Sequence, residues 1–103
     1  MWSLKTIFSN IAKTIEINFG SKVESVPENF LYDKRLTINN LVIPGNVKTI
    51  GKQAFTYNDI INLVIEDGVE IIGEKAFSAC QKLENVSIAD SVTSIGTSAF
   101  SSS

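Results

Sequence analysis

The 103-residue chain contains no histidine and only one cysteine, Cys80. The absence of histidine removes the most common metal ligand and the most common general base of enzymes. A single cysteine cannot form an internal disulfide, so packing and hydrogen bonds have to stabilise the fold. We therefore expect a protein that is not an enzyme, with no catalytic residues, no bound metal and no other cofactor.

Long apolar runs and a marked excess of one charge are also missing. No stretch of about 18 apolar residues occurs, so no membrane insertion is expected. The first residues lack the basic start and small-residue cleavage site of a secretory signal. The net charge is −2 and, among the basic residues, only Lys34 and Arg35 are adjacent. Nucleic acid is therefore not an expected partner, because such proteins need a basic surface.

What the chain does contain is a repeated pattern of nine residues. Segment 47–55 reads Val-Lys-Thr-Ile-Gly-Lys-Gln-Ala-Phe, and segments 69–77 and 92–100 keep its Val, Ile, Gly, Ala and Phe. The copies start 22 and then 23 residues apart. A period in this range is typical of solenoids, in which each coil buries its apolar side against the next coil.

A second block precedes each copy of the first one. Segments 38–43, 60–65 and 83–88 each have apolar residues at their first, fourth and sixth positions. Each block predicts a strand, followed by a turn rich in Gly, Asn, Asp or Pro, and then by a short β segment. Gly73 is expected to have a positive φ, and segment 74–77 to begin a short helical or 3₁₀ turn.

Stacked coils predict a continuous core. Strands that pair about 5 Å apart bring equivalent residues of neighbouring coils into line. Phe55, Phe77 and Phe100 are then expected to contact one another as an aromatic spine inside the stack.

The two ends of the chain depart from the repeat. Within residues 1–13 and just beyond, apolar residues are spaced by three and four positions, at Leu4, Ile7, Phe8, Ile11 and Ile15. This spacing predicts an N-terminal capping helix over residues 1–13. A degenerate half-repeat is the alternative, because segment 4–7 is similar to segment 47–50. Residues 14–103 are expected to form about three and a half coils, the last of which is incomplete and uncovered.

The element Ile-Gly-x-x-Ala-Phe, preceded by Leu-x-x-Leu-x-Ile-Pro and by a Val three positions before the Ile, resembles the BspA-like, or Treponema pallidum type, leucine-rich repeats. Segments 38–55, 60–77 and 83–100 carry this resemblance. It implies a curved solenoid of a kind found on surface and secreted proteins, with adhesion or protein binding as its usual role. We predict a right-handed, mainly β leucine-rich-repeat solenoid with short helical or 3₁₀ turns and an N-terminal capping segment.

The outward side chains of the strands form the candidate binding surface, since the sheet of a curved solenoid commonly binds partners on its concave face. They lie in rows, one of which is expected to place Thr14 in line with the asparagines. The candidate ligand-binding residues are Asn40, Val42, Asn62, Val64, Glu66, Asn85 and Ser87. The alternative is that the asparagines bond only to each other and that the valines are only strand formers.

Other residues have simpler explanations. Cys80 is equivalent to Asn58 in the preceding copy, which favours a structural role over a reactive thiol. Asp67 and Asp90 are equivalent turn residues, and turn chemistry accounts for them without a calcium or acid–base site. Trp2 either anchors a partner or packs over the first coil. A protein-binding module is the leading hypothesis, and self-association into a homo-oligomer through the C-terminal coil is the alternative.

Overall fold

The structure, a computed structural model, describes residues 2–8 and 13–103, with side chains described from residue 15 onward. It is a mainly-β parallel solenoid in which each coil contributes one long strand and one short strand. The five-stranded sheet has the order β1 (Trp2–Phe8), β2 (Lys13–Phe19), β4 (Thr37–Ile43), β6 (Asp59–Ile65), β8 (Asn85–Ile88). The four-stranded sheet has the order β3 (Ser25–Val26), β5 (Thr49–Ile50), β7 (Ile71–Ile72), β9 (Ser94–Ile95).

The register between the coils is the one that the repeat predicts. Leu63 of β6 pairs with Leu41 of β4 and with Val86 of β8, and all these strands are parallel. The short strands follow the same rule, since Ile72 pairs with Ile50 on one side. Buried residues therefore repeat at each coil and form one continuous core.

The predicted aromatic spine is confirmed. The rings of Phe55 and Phe77 are stacked with their centroids 5.2 Å apart, and those of Phe77 and Phe100 are stacked at 5.4 Å. In the first coil Leu31 takes the equivalent place: its amide donates to the carbonyl oxygen of Ala54, as the amide of Phe55 donates to that of Ala76. Phe30 extends the spine by meeting Phe55 edge to face at 5.9 Å.

The predicted helical or 3₁₀ turns are wrong, because nowhere in residues 2–8 and 13–103 does the chain form a helix. The amide of Ala54 donates within its coil to Gly51, whereas the amide of Phe55 donates to the next coil. Residues with left-handed φ also recur at equivalent places, such as Gln53 at 56° and Lys75 at 55°. A helix needs unbroken right-handed φ and bonds within one segment, so the stacked coils replace it with turns.

The expectation for Gly73 is also wrong, because its φ is not positive and the left-handed residue lies two positions later, at Lys75. Gly73 instead meets the preceding coil closely. A Cβ atom there would lie 2.7 Å from the carbonyl oxygen of Ile50 and 2.9 Å from the backbone of Gly51. Glycine is therefore required by the close approach of two backbones and not by a special backbone angle.

The N-terminal segment forms a strand and not the predicted helix. Trp2–Phe8 pairs antiparallel with β2 along its whole length, from Trp2 opposite Phe19 to Phe8 opposite Lys13. The strands of the repeats pair in parallel, so β1 differs from them in orientation, and the alternative of a degenerate half-repeat stays a prediction. An antiparallel strand supplies partners for the backbone groups along the edge of β2. Residues 9–12 and the side chain of Trp2 lie outside the described parts, and the division at residue 13 stays a prediction.

At the other end of the stack the core side chains are uncovered. Val86, Ile88 and Ile95 are 45%, 37% and 53% exposed, although they occupy the same places as residues that are buried in the preceding coil. Those buried equivalents are Leu63, Ile65 and Ile72.

Candidate protein-interaction face

The outward side of β4, β6 and β8 has an apolar centre. Val42 and Val64 are paired across the two strands and are 41% and 37% exposed. Each lies between two buried residues, and side chains alternate sides along a strand, so both valines have to point outward. Burial of the core thus fixes the direction of these two side chains.

A ladder of asparagines runs beside the valines. The Nδ2 atom of Asn62 donates to Oδ1 of Asn40 at 3.1 Å and to the backbone oxygen of Asn39 at 3.1 Å. In the same direction, Nδ2 of Asn85 donates to Oδ1 of Asn62 at 2.8 Å. The asparagines therefore do bond to one another, as the alternative predicted from the sequence. Oδ1 of Asn85, the last asparagine of this row, has no hydrogen-bond partner among the described residues, so this acceptor stays free.

The remaining candidate residues, Ser87 and Glu66, lie beside the valines and the asparagines. Ser87 pairs with Val64 in the register, and the amide of Glu66 donates to the carbonyl oxygen of Ile43 at 3.0 Å. Both side chains are exposed. We call the outward surface formed by the predicted residues the ladder face, namely Asn40, Val42, Asn62, Val64, Glu66, Asn85 and Ser87.

The expected extension of the asparagine row to Thr14 is wrong, because Thr14 pairs with Thr37 and not with Asn40. Among the described residues, Thr14 and Thr37 are the backbone pair that joins β2 to β4. A cleft of about 270 Å³ opens there, with Glu16, Asn39 and Asn40 among its lining residues.

The comparison with protein families decides the classification. A family model described as BspA type Leucine rich repeat region matches residues 4–103 in six copies. The chain belongs to the BspA-type leucine-rich repeat family. Searches of curated proteins and of solved structures find no match for it. Membership in this family indicates a protein-interaction module, since leucine-rich repeats typically act by binding and not by catalysis.

Within this BspA-type repeat, one buried position joins successive coils. Asn58, fully buried, donates through Nδ2 to the carbonyl oxygen of Leu31 at 2.9 Å, and its Oδ1 accepts from the amide of Leu36. Cys80 holds the same position one coil later and is also buried. Burial raises the pKa of the Cys80 thiol to about 11, which keeps the sulfur protonated at neutral pH. The sequence-based view that Cys80 is structural agrees with this burial.

The turns of the BspA-type coils carry a feature that sequence reasoning missed. The rings of Tyr32 and Tyr57 meet edge to face at 6.1 Å, and both are exposed. The guanidinium carbon of Arg35 lies 4.9 Å from the centre of the Tyr57 ring. Asp33 accepts from Nε of Arg35 at 2.7 Å and raises the pKa of that guanidinium. The repeat pattern does not mark these residues as neighbours, because Tyr32, Asp33 and Arg35 lie in the divergent loop 32–35 and Tyr57 lies in the turn of the next coil.

Two other kinds of site are absent from the described residues. No group of three or more Cys, Asp or Glu side chains there is placed to hold a metal ion, and Asp67 and Asp90 are both exposed turn residues. In the same part of the chain no helix is long and apolar enough to cross a membrane.

Proposed function

We propose that this BspA-type repeat recognises a protein partner through the ladder face, without catalysis, in adhesion or another form of partner recognition. The observation that carries the proposal is the exposed Val42–Val64 pair beside a row of asparagines whose amides are already fixed. An apolar centre surrounded by polar groups is the usual composition of a protein-binding surface.

Rigidity supports the same proposal. Binding is weakened when flexible side chains have to be ordered, at about 0.5–1.5 kcal/mol for each such side chain. Valine has a stiff side chain. The hydrogen bonds from Asn62 to Asn40 and from Asn85 to Asn62 hold the asparagine side chains in place before a partner arrives. A partner therefore meets a surface that is already organised.

Lysine substitutions on the ladder face test the proposal. The immobilised chain and its Asn62→Lys and Val64→Lys variants are incubated with an extract of the source organism, and retained proteins are competed with free chain. We expect competable retention that falls at least about tenfold in both variants, because a buried unpaired charge is costly at an interface. Their melting temperatures should stay close to that of the parent, since both side chains are outside the core.

Ile71→Lys is the matched control, because Ile71 is 42% exposed on the other sheet. It should retain the same proteins as the parent chain. Equal retention by all three variants would contradict recognition through the ladder face.

We also propose, as a second function, self-association with a second copy of the chain through the last coil. The exposed apolar side chains of Val86, Ile88 and Ile95 support it, because their equivalents are buried by a following coil. At the other end of the stack β1 closes the edge of β2 by antiparallel pairing, which supports the same geometry for an association at β8. Two β8 strands related by a twofold axis would run antiparallel and cover each other in the same way.

Sedimentation equilibrium over a range of protein concentrations tests this second function. We expect a dimer that Val86→Glu and Ile95→Glu convert to a monomer, whereas the control Ile71→Glu leaves it dimeric. A monomer mass throughout the concentration range for the parent chain would contradict self-association.

A further inference from the structure

A shallow groove of about 320 Å³ runs across the turns of successive coils, and none of its lining residues belongs to either sheet. One wall carries Gln53 and Lys75, with φ of 56° and 55°. The opposite wall carries Tyr57 and Ala79, with φ of 63° and 55°. Left-handed residues thus recur along the groove at equivalent places in neighbouring coils.

Three residues with hydroxylated side chains lie along the floor of this groove. Thr56, Ser78 and Ser101 follow one another coil by coil, as the amide bonds from Tyr57 to Ser78 and from Ala79 to Ser101 show. Oγ1 of Thr56 and Oγ of Ser78 lie 3.3 Å apart. Oγ1 of Thr56 also donates to the carbonyl oxygen of Lys75 at 2.6 Å, and the side chains of Thr56 and Ser78 are buried. These two hydroxyls therefore join the coils beneath the groove, and Ser101 is the member of the row whose hydroxyl is exposed to a ligand.

Tyrosines close one end of the groove. The amide of Asp33 donates to the carbonyl oxygen of Thr56, as the amide of Tyr57 donates to that of Ser78. Tyr32, which precedes Asp33, therefore occupies in the first coil the place that Thr56 has in the second. Its ring meets Tyr57, which Arg35 contacts in turn, so both rings are held in position. An aromatic ring has an electron-rich face, and the C–H groups of a sugar ring pack favourably on such a face.

The charge of the groove has one sign. Lys75 is exposed, and in residues 15–103 its ammonium group has no ion-pair partner. The lining contains no carboxylate among the described residues. A ligand that carries a negative charge would complement this cation.

We propose that this groove binds an acidic oligosaccharide, in which one sugar packs on Tyr32 and Tyr57 and a carboxylate reaches Lys75. The hydroxyl groups of the following sugars would bond to the exposed hydroxyl of Ser101 and to the side-chain amide of Gln53, which also lines the groove. This site is separate from the ladder face and does not depend on the function proposed for it.

The test uses two matched probes, a β-1,4-linked trimer of glucuronic acid and the neutral trimer of glucose with the same linkage. Amide shifts of the ¹⁵N-labelled chain are followed during titration with each probe. We expect saturable shifts at Tyr57, Ser78 and Ser101 with the acidic trimer, and roughly tenfold weaker binding of the neutral trimer. Absence of shifts at these amides, or equal affinity for both trimers, would overturn the proposal.

Variants can be chosen from the repeat itself so that they fold. Lys75→Gln places at that position the residue that the preceding coil has as Gln53, at the same φ. Tyr57→Ala likewise copies Ala79. Each should weaken binding of the acidic trimer about fivefold to tenfold, and Lys75→Gln should remove the preference over the neutral trimer.

Lys52→Gln is the matched control, because Lys52 lies 3.9 Å from Glu74 and does not line the groove. It should bind the acidic trimer as the parent does. If Lys52→Gln and Lys75→Gln weaken binding equally, the attraction is general charge and the proposed site is wrong.

Discussion

The thiol of Cys80 donates to the carbonyl oxygen of Phe55, with 3.2 Å between sulfur and oxygen. Phe55 belongs to the aromatic spine of the preceding coil. Asn58 donates in the same way to Leu31, and Oγ of Ser103 donates to Phe77 at 2.7 Å. One side chain in each coil thus bonds to the spine residue of the coil before it, and three residue types fulfil this role.

The titration of Cys80 is expected to make stability depend on pH. Its pKa is raised from 9.0 to about 11 by burial, so above pH 9 the unfolded chain loses this proton while the folded chain keeps it. Stability from this group is therefore complete below pH 9 and falls as the pH rises, by about 2 kcal/mol at pH 11.

Urea unfolding at pH 8 and pH 11 measures this loss. Cys80→Ser is the control, because a hydroxyl donates to the spine as Ser103 does but does not ionise in this range. The fall in stability should be smaller in Cys80→Ser by about 2 kcal/mol. An equal fall in both proteins would show that the thiol is not protected by burial.

Asn58→Ala is expected to destabilise the fold by about 2–4 kcal/mol in urea unfolding, because it leaves buried backbone groups such as the oxygen of Leu31 without a partner. Asn62→Ala makes the same chemical change on the exposed ladder and should cost less than about 1 kcal/mol. Similar losses for the two variants would contradict the structural role of Asn58.

Phe77→Ala should cost about 3–5 kcal/mol, because it removes the central ring of the spine and leaves a cavity. Phe100→Ala should cost less, since Phe100 is only partly buried at the last coil. The free energy of unfolding from urea titrations distinguishes the two. A larger loss for Phe100→Ala would mean that the centre of the core is elsewhere.

Two neighbouring positions should respond to small residues in opposite ways. Gly73→Ala is expected to destabilise the fold by more than 1 kcal/mol, since the new Cβ would overlap the backbone of Ile50 and Gly51. Lys75→Gly should be neutral or stabilising by up to about 1 kcal/mol, because glycine accepts the φ of 55° without strain. Thermal unfolding checks both, and stabilisation by Gly73→Ala would contradict the close contact between coils.

The register of the coils could be predicted from the sequence because the repeat reports it directly. Each equivalent residue, such as Phe77 for Phe55, has to meet its counterpart once the coils stack. Gly73 shows the limit of this reasoning. A glycine that recurs at the same position of each coil is explained equally well by a positive φ or by close packing. Only the distances between neighbouring coils distinguish the two reasons.

The N-terminal strand and the turn groove could not be predicted from the sequence, and the reason differs between the two. The apolar residues of β1 have a spacing that suits a helix, and the free edge of β2, which favours a strand, depends on the fold and not on local sequence. The groove joins Tyr32 to Lys75 across three coils, and nothing in the chain order marks them as neighbours. The outward direction of Val42 and Val64 was predictable because these residues alternate with the core, and the binding role of the ladder face stays a prediction.

Site-specific photo-crosslinking tests the central claim most directly. A benzophenone amino acid is placed at Val64 on the ladder face or, as the control, at Ile71 on the other sheet, and the chain is irradiated in an extract of the source organism. We expect a protein crosslinked from position 64, competed by the free parent chain, and no such product from position 71. Crosslinking of the same proteins from position 71, or none from position 64, would contradict recognition through the ladder face.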